Sequence, residues 1–331
     1  LGGGDVNLYS LFVERAQSLA RPAGLVALLT PSGIAADKGA AEFFRGISAT
    51  GRLGALFDFE NRGNPGGSFF PDVDSRFKFC ALVFGGADRR FAASRCAFYL
   101  HAIDELAAAE RVLPLTAEDF RLVNPNTGAA PIFRSRRDAD ITTRVYREHP
   151  VLVDRSHGDA RKVWPLKYLR MFDMTNDSNL FLTRHELEQR GFEPGGLNRW
   201  RRGTDEVVPL YEGKMVQMYD HRAADVIVNP DNLHRVAQPE VIQEALKEQA
   251  DRYPVPQFFV SGEHIGANPY RWALGFKEIT APTNMRSMIA MILPQAAFGN
   301  KVPLLIPMDL SPDKAACVSA GVVANLNSFA V

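Results

Sequence analysis

Apolar side chains recur at helical spacing at Leu8, Leu11, Phe12, Ala16 and Leu19, which predicts a helix burying those five on one face. Asp5 stands where a cap is wanted, and Arg21-Pro22-Ala23-Gly24 ends the pattern. Residues 25–30, Leu-Val-Ala-Leu-Leu-Thr, are almost uninterrupted in hydrophobicity, as parallel strands covered on both faces are. A turn at Pro31-Ser32-Gly33 leads into a second predicted helix over 38–50, with Phe43, Phe44 and Ile47 inward and Gly51 as its stop. Strands follow at 53–59 and 76–84, the latter placing Phe77, Phe79, Ala81 and Val83 on one face. Between them Asn61-Arg-Gly-Asn-Pro-Gly-Gly-Ser68 is a loop by composition, and it runs into Phe69-Phe70-Pro71.

A strand at 95–100 and a helix at 102–109 are expected to finish this lobe. From 115 the texture changes. Asn124-Pro125-Asn126-Thr127-Gly128 is a turn, and 134–148 is a charged, helix-compatible stretch ending before Pro150. From 151 onward the strands are short and punctuated, with no internal repeat or low-complexity tract. The expected organisation is an α/β part over 1–110, a connector over 111–150 and a mixed α+β domain over 151–331.

The length of 331 residues suits two domains, and 46% hydrophobic content is ample for ordinary cores. No apolar run reaches the roughly 18 residues a membrane span needs, and no basic stretch precedes a hydrophobic one, so a cytoplasmic protein without membrane insertion is expected. Cys80, Cys96 and Cys317 form no C-x-x-C pair and read as buried thiols, and the seven histidines stand singly, so no metal is expected. Zero formal net charge argues against a histone-like binder of polyanions. It leaves room for a groove, because 29 of the 38 basic residues are arginine, the side chain that forks onto phosphates and guanine edges. They cluster at Arg134, Arg136 and Arg137 and at Arg199, Arg201 and Arg202. Two readings stand for these clusters: DNA contact, or solvated surface paired with Asp138, Asp140, Asp205 and Glu206.

Three segments carry a family resemblance: Asp5-Val-Asn-Leu-Tyr-Ser-Leu-Phe12, Pro31-Ser32-Gly33 after its strand, and Phe69-Phe70-Pro71 between two strands. Together they resemble the second half of the catalytic domain of adenine-N6 DNA methyltransferases of the TaqI type, as found in type IIG restriction-modification enzymes. The resemblance implies an α/β fold, the second half of an S-adenosylmethionine-dependent methyltransferase (Rossmann-like) sheet whose last two strands form an antiparallel hairpin at the edge, followed by a DNA target-recognition domain. It implies S-adenosylmethionine as cofactor and duplex DNA as partner. Phe12 then packs against the adenine ring of the cofactor, although it also sits on the predicted buried face of its helix. Asn7 and Pro31 shape the wall of the active site. Phe70, with Pro71, stacks on the target adenine extruded from the duplex, and Phe69 anchors the loop. An apolar pair inside a loop of Gly, Asn and Ser is hard to explain by packing alone, since exposed apolar residues in loops mark contacts.

Methylating a weakly nucleophilic exocyclic amine also needs hydrogen-bond acceptors that orient it and a cradle for the methyl donor. The family supplies these from an Asn-Pro-Pro-aromatic motif and a glycine-rich turn, and neither is present. No Pro-Pro dipeptide occurs; Asn124-Pro125-Asn126 and Asn268-Pro269-Tyr270 lack the second proline, and Gly2-Gly3-Gly4 has no strand before it. No catalytic residue is therefore expected in this chain. The sequence starts at Leu1 without a methionine and ends inside the apolar run 316–331, so it reads as a piece of a longer protein. The catalytic motif, and any nuclease domain, is expected upstream of Leu1.

Two later segments, Leu210-Tyr-Glu-Gly-Lys-Met215 running on to Asp220-His-Arg222, and Gly275-Phe-Lys-Glu-Ile-Thr280 followed by Thr283-Asn-Met-Arg286, resemble the family's target-recognition region. Asn284 and Arg286 suit adenine and guanine edges, and they serve equally to hold backbone in a turn, which is the preferred reading. Glu212-Gly213-Lys214 has the form of half a nuclease motif but lacks a Pro-Asp partner on an adjacent strand, and Pro71-Asp72 with Lys78 lies within one loop and strand. The rival to an adenine methyltransferase is a non-catalytic DNA-binding or specificity module; a small-molecule methyltransferase would not need the second domain.

Overall fold

A computed structural model describes residues 7–62, 67–149, 151–155, 161–228, 237–266, 268–280, 284 and 286–328, with backbone only at 161 and 162. It divides into two compact units, Leu1–Trp164 and Pro165–Val331. Asp5, Gly2-Gly3-Gly4, Pro150, Thr283 and Met285 lie outside the described residues.

In the first unit, helix α1 (Leu8–Leu19) precedes strand β1 (Leu25–Pro31), two 3-10 turns and helix α2 (Ala41–Ser48). Strands β2 (Leu53–Glu60), β3 (Lys78–Gly85), β4 (Ser94–Leu100) and β5 (Leu113–Leu115) follow, then helices α3 (Ala117–Val123) and α4 (Arg136–Glu148) and a small hairpin of β6 (Val153–Asp154) with β7 (Arg161–Lys162). Five strands form one sheet in the order β1-β3-β2-β4-β5. β3 is antiparallel to both β1 and β2, and β2 is parallel to β4, so β1, β2 and β4 run the same way. All three therefore present their carboxyl ends at one edge of the sheet.

The core lies under one sheet face. Phe44, Ile47, Ile34, Leu53, Leu82 and Phe84 are fully buried, and Phe44 meets Phe120 of α3 edge-on with ring centroids 6.0 Å apart. Each such side chain contributes about 1.5–3 kcal/mol relative to exposure, which makes this face the main source of the unit's stability. The two later helices are well started: Thr116 and Asp119 form a reciprocal capping box, and the Ser135 hydroxyl accepts the N–H of Asp138.

Four expectations differ from what is observed. β1 is an antiparallel edge strand, with Leu25 and Leu29 exposed at 52% and 68% on the side away from the core. The β2–β3 hairpin is antiparallel but sits inside the sheet, β3 lying between β1 and β2. On α1, Leu8, Leu11, Phe12 and Leu19 are exposed, while Tyr9, Ser10 and Val13 face the protein. The periodicity was real, but the stripe it marks is the outward one, because the sheet offers its apolar surface to the opposite side of the helix. Finally, the 111–150 segment belongs to the first compact unit: it supplies the fifth strand and a helix whose Phe120 enters the core. On β3 the buried set is Cys80, Leu82 and Phe84, on the opposite face from Phe79, Ala81 and Val83.

The second unit is built from short strands. β8 (Leu166–Leu169), helix α5 (Arg184–Gln189), β9 (Glu193–Pro194), β10 (Trp200–Arg202), β11 (Asp205–Tyr211), β12 (Ala224–Ile227) and β13 (Gln238–Val241) come first. Helix α6 (Glu244–Lys247), β14 (Phe259–Ser261), β15 (Trp272–Phe276), β16 (Ala290–Pro294), β17 (Ala297–Phe298), β18 (Leu304–Pro307) and helix α7 (Pro312–Leu326) complete it. One sheet runs β14-β11-β10-β9 with β17 added parallel to β11, another runs β16-β15-β18-β8, and β12 pairs with β13. Tyr211, Met291, Phe298 and Leu304 form a shared core. The side chain of Asn327, just after α7, donates to the carbonyl of Ala290 and accepts its N–H, both at 2.8 Å, which fixes the helix to β16. Cys80 and Cys96 are buried as expected, whereas Cys317 on α7 is exposed.

Candidate functional site

The carboxyl ends of β1, β2 and β4 carry a polar cluster within an otherwise apolar sheet, and that is the edge of an open α/β sheet where ligands bind. Asp58 and Glu60 alternate with Phe57 and Phe59 at the end of β2, so both carboxylates fall on the same face. The Ser32 hydroxyl, just past β1, donates to Asp58. Lys78, opening β3 opposite Glu60, lies 3.2 Å from Glu60 and 4.0 Å from Asp58. His101 after β4 and Arg62 close on the same Glu60 oxygen at 3.0 and 3.1 Å.

The two carboxylates are driven apart. Burial pushes Asp58 above the ordinary carboxylate range, against the opposing hydrogen bond of Ser32 and charge of Lys78. Burial would also raise Glu60, but hydrogen bonds from His101, Arg62 and Lys78 outweigh it and hold Glu60 down at about 2. Separation of neighbouring acids in this way is common where proton or hydrogen-bond chemistry is done.

Beside the cluster opens a cavity of about 600 Å³ whose lining includes Asn7, Tyr9, Pro31, Ser32, Asp58 and Lys78. Tyr9 from α1 donates its hydroxyl to Asp37 at 2.9 Å, and burial with that partner raises the phenol to about 12. Gly33 leaves room for this pair: a Cβ would lie 2.7 Å from the Tyr9 hydroxyl and closer still to the Asp37 carboxylate, so a larger residue would push those two side chains aside. Asn7 and Pro31 thus share one cavity.

Phe70 and Pro71 lie in the loop joining β2 to β3, both exposed, Phe70 at 42%. The loop is held, because buried Asn61 donates to the carbonyls of Phe70 and Val73 and accepts the N–H of Phe70. Phe69 packs edge-on to Phe59 and Phe79 at 5.5 and 5.2 Å, while among the described residues Phe70 makes a ring contact with Phe79 alone, edge-on at 5.0 Å. One ring anchors and the other stays available. Phe12 is exposed at 66% and does not line the cavity. One exposed ring on a helix is not a cradle, and the described residues around Phe12 do not by themselves form an S-adenosylmethionine site.

In the second unit the arginine cluster is paired within its own sheet. Arg199 donates to Glu206 at 2.8 Å and to the Gln295 carbonyl at 2.7 Å, Arg201 pairs with Glu206 at 3.0 Å, and Arg202 pairs with Asp205 at 3.1 Å. Asn284 is exposed at the mouth of a second cavity, and Arg286 is half-buried. Among the described residues no group of three potential metal ligands occurs, and no helix is long and apolar enough to cross a membrane.

Asp58, Glu60 and His101 were not singled out from sequence, and Ser32 was named only as part of the Pro31-Ser32-Gly33 turn. The available signal was the pair of acids alternating inside an apolar strand, a pattern that puts charge on a face expected to be buried. No established protein family matches the chain, and no curated protein does. Among solved structures the chain is similar to the type IIG restriction endonuclease BpuSI, at 10% identity and a TM-score of 0.30, covering 98% of this chain and 39% of that one. At that score the likeness carries no argument, and the chain spans about two fifths of that protein's length.

Proposed function

We propose that this chain is part of a site-specific DNA methyltransferase that transfers a methyl group from S-adenosylmethionine to adenine N6 in duplex DNA, within a restriction-modification or related phage-defence system. The observation that carries the reading is the tethered Phe70: an exposed aromatic ring on a loop pinned by Asn61, in the hairpin whose strand ends carry the polar cluster. A flipped base needs such a face, and stacking on it is worth about 1–3 kcal/mol. The exposed apolar stripe of α1 and the open edge of β1 support the view that further sheet packs there, as expected of half a catalytic domain. The chain by itself lacks the acceptors that orient the amine, and it is inactive alone in this reading.

The test uses cells carrying the intact gene. Genomic DNA is mapped for N6-methyladenine, and Phe70→Ala is introduced in the same gene. Methylation at one sequence motif, reduced by the substitution while the protein level holds, supports the reading. DNA without N6-methyladenine, alongside sequence-specific DNA binding by the protein, replaces it with the non-catalytic specificity module.

A further inference from the structure

The outward stripe of α1 and the open edge of β1 adjoin at the turn 20–24, and arginines collect there. Arg15 lies among the exposed Leu8, Leu11, Phe12 and Leu19 at helical spacing, and Arg21 and Pro22, both exposed, lead into β1 with its exposed Leu25 and Leu29. The turn after β3 is locked against this one. Gly86 donates its N–H to the Gly24 carbonyl at 3.0 Å, Asp88 donates to the Pro22 carbonyl at 2.8 Å, and the Arg89 guanidinium reaches the Ala23 carbonyl at 3.4 Å. A Cβ on Gly86 would overlap the Arg21 carbonyl oxygen, so only glycine allows the two turns to close.

The charge at this corner is one-sided. Arg89 and Arg90 bond to backbone carbonyls, of Ala23 for the first and of Ala87 and Arg89 for the second. Among the described residues none of Arg15, Arg21, Arg89 and Arg90 has a carboxylate partner, and Asp88 forms no ion pair. Behind them Arg52 is half-buried and donates through Nε to the Gly85 and Gly86 carbonyls at 3.0 Å each. Burial and the charge of Arg90 hold it below the ordinary guanidinium range, in keeping with a positive field that nothing nearby cancels. The adjoining edge is unprotected as well. Edge strands are ordinarily blunted by a charge, a proline or a bulge, whereas residues 25–30 carry no charge and no proline and their register with β3 runs unbroken.

We propose that this surface docks an acidic protein segment, extended as an added strand along the open edge of β1, with its carboxylates on Arg21 and Arg89 at the amino end of that strand. Added strands gain affinity from main-chain hydrogen bonds and specificity from side chains, and here the side chains select by charge. A nucleic-acid strand would answer the arginines but leave the backbone groups of the edge and the exposed leucines bare. An uncharged segment would cover the edge and shut the arginines away from water without partners, which is costly. The acidic character of the occupant rests on this surface alone. Its origin, the further sheet of the same enzyme, rests on the function proposed above.

The experiment measures binding of the whole chain to synthetic peptides of about ten residues, the length of a long strand. All share an alternating valine-threonine core; one ends in a run of glutamates at its amino end, one at its carboxyl end, so that either strand direction is served, and a third carries lysines instead. One glutamate peptide is expected to bind wild type at least about tenfold more tightly than the lysine peptide. Arg21→Glu with Arg89→Glu inverts that order, Arg21→Gln with Arg89→Gln abolishes it, and Leu29→Lys, which puts a charge on the edge, weakens binding of the glutamate peptide. Unfolding midpoints stay near wild type, because all three positions are exposed. The proposal is overturned if no peptide binds wild type, if glutamate and lysine peptides bind alike, if the glutamine variant keeps the wild-type order, or if Leu29→Lys binds as wild type does. A duplex oligonucleotide that binds more tightly than the glutamate peptides and is lost in the glutamine variant assigns the arginines to phosphate and overturns it too, as does a wild-type dimer that no peptide dissociates, which assigns the face to a second copy. N6-methyladenine in cells whose protein shows none of this binding strikes the docking and leaves the proposed function standing; charge-selective binding without N6-methyladenine does the reverse.

Discussion

Asn61 holds Phe70 by its backbone: the side-chain amide donates to the Phe70 carbonyl at 2.9 Å, and the side-chain oxygen accepts the Phe70 N–H at 2.9 Å. A third bond, to the Val73 carbonyl at 3.0 Å, closes the loop around a side chain that is 1% exposed. Loop conformation is thereby set by one buried amide, while the phenyl ring it presents stays outside.

Asn61→Ala leaves two carbonyls and one N–H without these partners, and is expected to destabilise the first unit by about 1–3 kcal/mol. The Phe70 amide should then exchange with solvent much faster. Unchanged exchange at Phe70 would show that the loop is held by something else. Asn61→Asp accepts but cannot donate, and is expected to fall near the alanine variant.

Phe70→Ala should change stability by less than about 1 kcal/mol, because its one ring contact among the described residues is edge-on with Phe79 and the residue is 42% exposed. Phe59→Ala, at a 5% exposed position within the neighbouring aromatic cluster, should cost about 3–5 kcal/mol. In the intact enzyme the Phe70 change is expected to slow single-turnover methylation roughly 5- to 150-fold, the equivalent of about 1–3 kcal/mol of lost stacking. Equal loss of stability in the two variants would make Phe70 a packing residue.

Glu60 and Asp58 give opposite dependences on pH. Glu60 is held at about 2 against an ordinary 4.5, so its stabilisation is present above 4.5 and is lost as pH falls toward 2. With partly exposed partners this amounts to on the order of 1–2 kcal/mol, and Glu60→Gln should flatten the acid limb of stability against pH by that amount. Asp58 is raised, so its ionisation opposes folding as pH climbs above the ordinary 3.8. Asp58→Asn keeps an acceptor for Ser32 and should be more stable than wild type near neutrality. Urea unfolding between pH 2 and 7 distinguishes these outcomes.

Replacing Leu8, Phe12 and Leu19 together by Gln, Ser and Gln should shift the stability of the isolated chain by about 0.5 kcal/mol or less per site, since they are 66–69% exposed. Self-association, measured by sedimentation velocity, should fall, because a chain of zero formal net charge has little repulsion to oppose apolar contact. A large loss of stability would mean that α1 packs by its other face.

Arg199→Ala should destabilise the second unit by about 1–3 kcal/mol, because its guanidinium joins Glu206 to the Gln295 carbonyl. Arg201→Ala, at an exposed pair with the same Glu206, should cost less than about 1 kcal/mol. Denaturant unfolding of both separates the bridging arginine from the surface one.

Local pattern determined much of this protein. The second helix with Phe44 and Ile47 inward, the strands expected at 53–59, 76–84 and 95–100 and found within two residues of those bounds, and the helix ending before Pro150 follow from period and punctuation, which act within a few residues. The Phe69-Phe70 loop stood out for the same reason, an apolar pair where polar residues belong. Tertiary structure decided what period cannot express. A repeat at Leu8, Phe12 and Leu19 marks a stripe on α1 but not which side of the helix the sheet will cover. An apolar run at 25–30 marks a strand but not that, among the described residues, β3 would pair along one side of it and no strand along the other, because strand order depends on residues far away in sequence. Asp58 on β2, Lys78 on β3 and His101 just after β4 are far apart in sequence, and only the sheet brings them around Glu60 and Ser32. Their shared edge, and with it the opposed behaviour of the two carboxylates, is a product of burial and neighbouring charge.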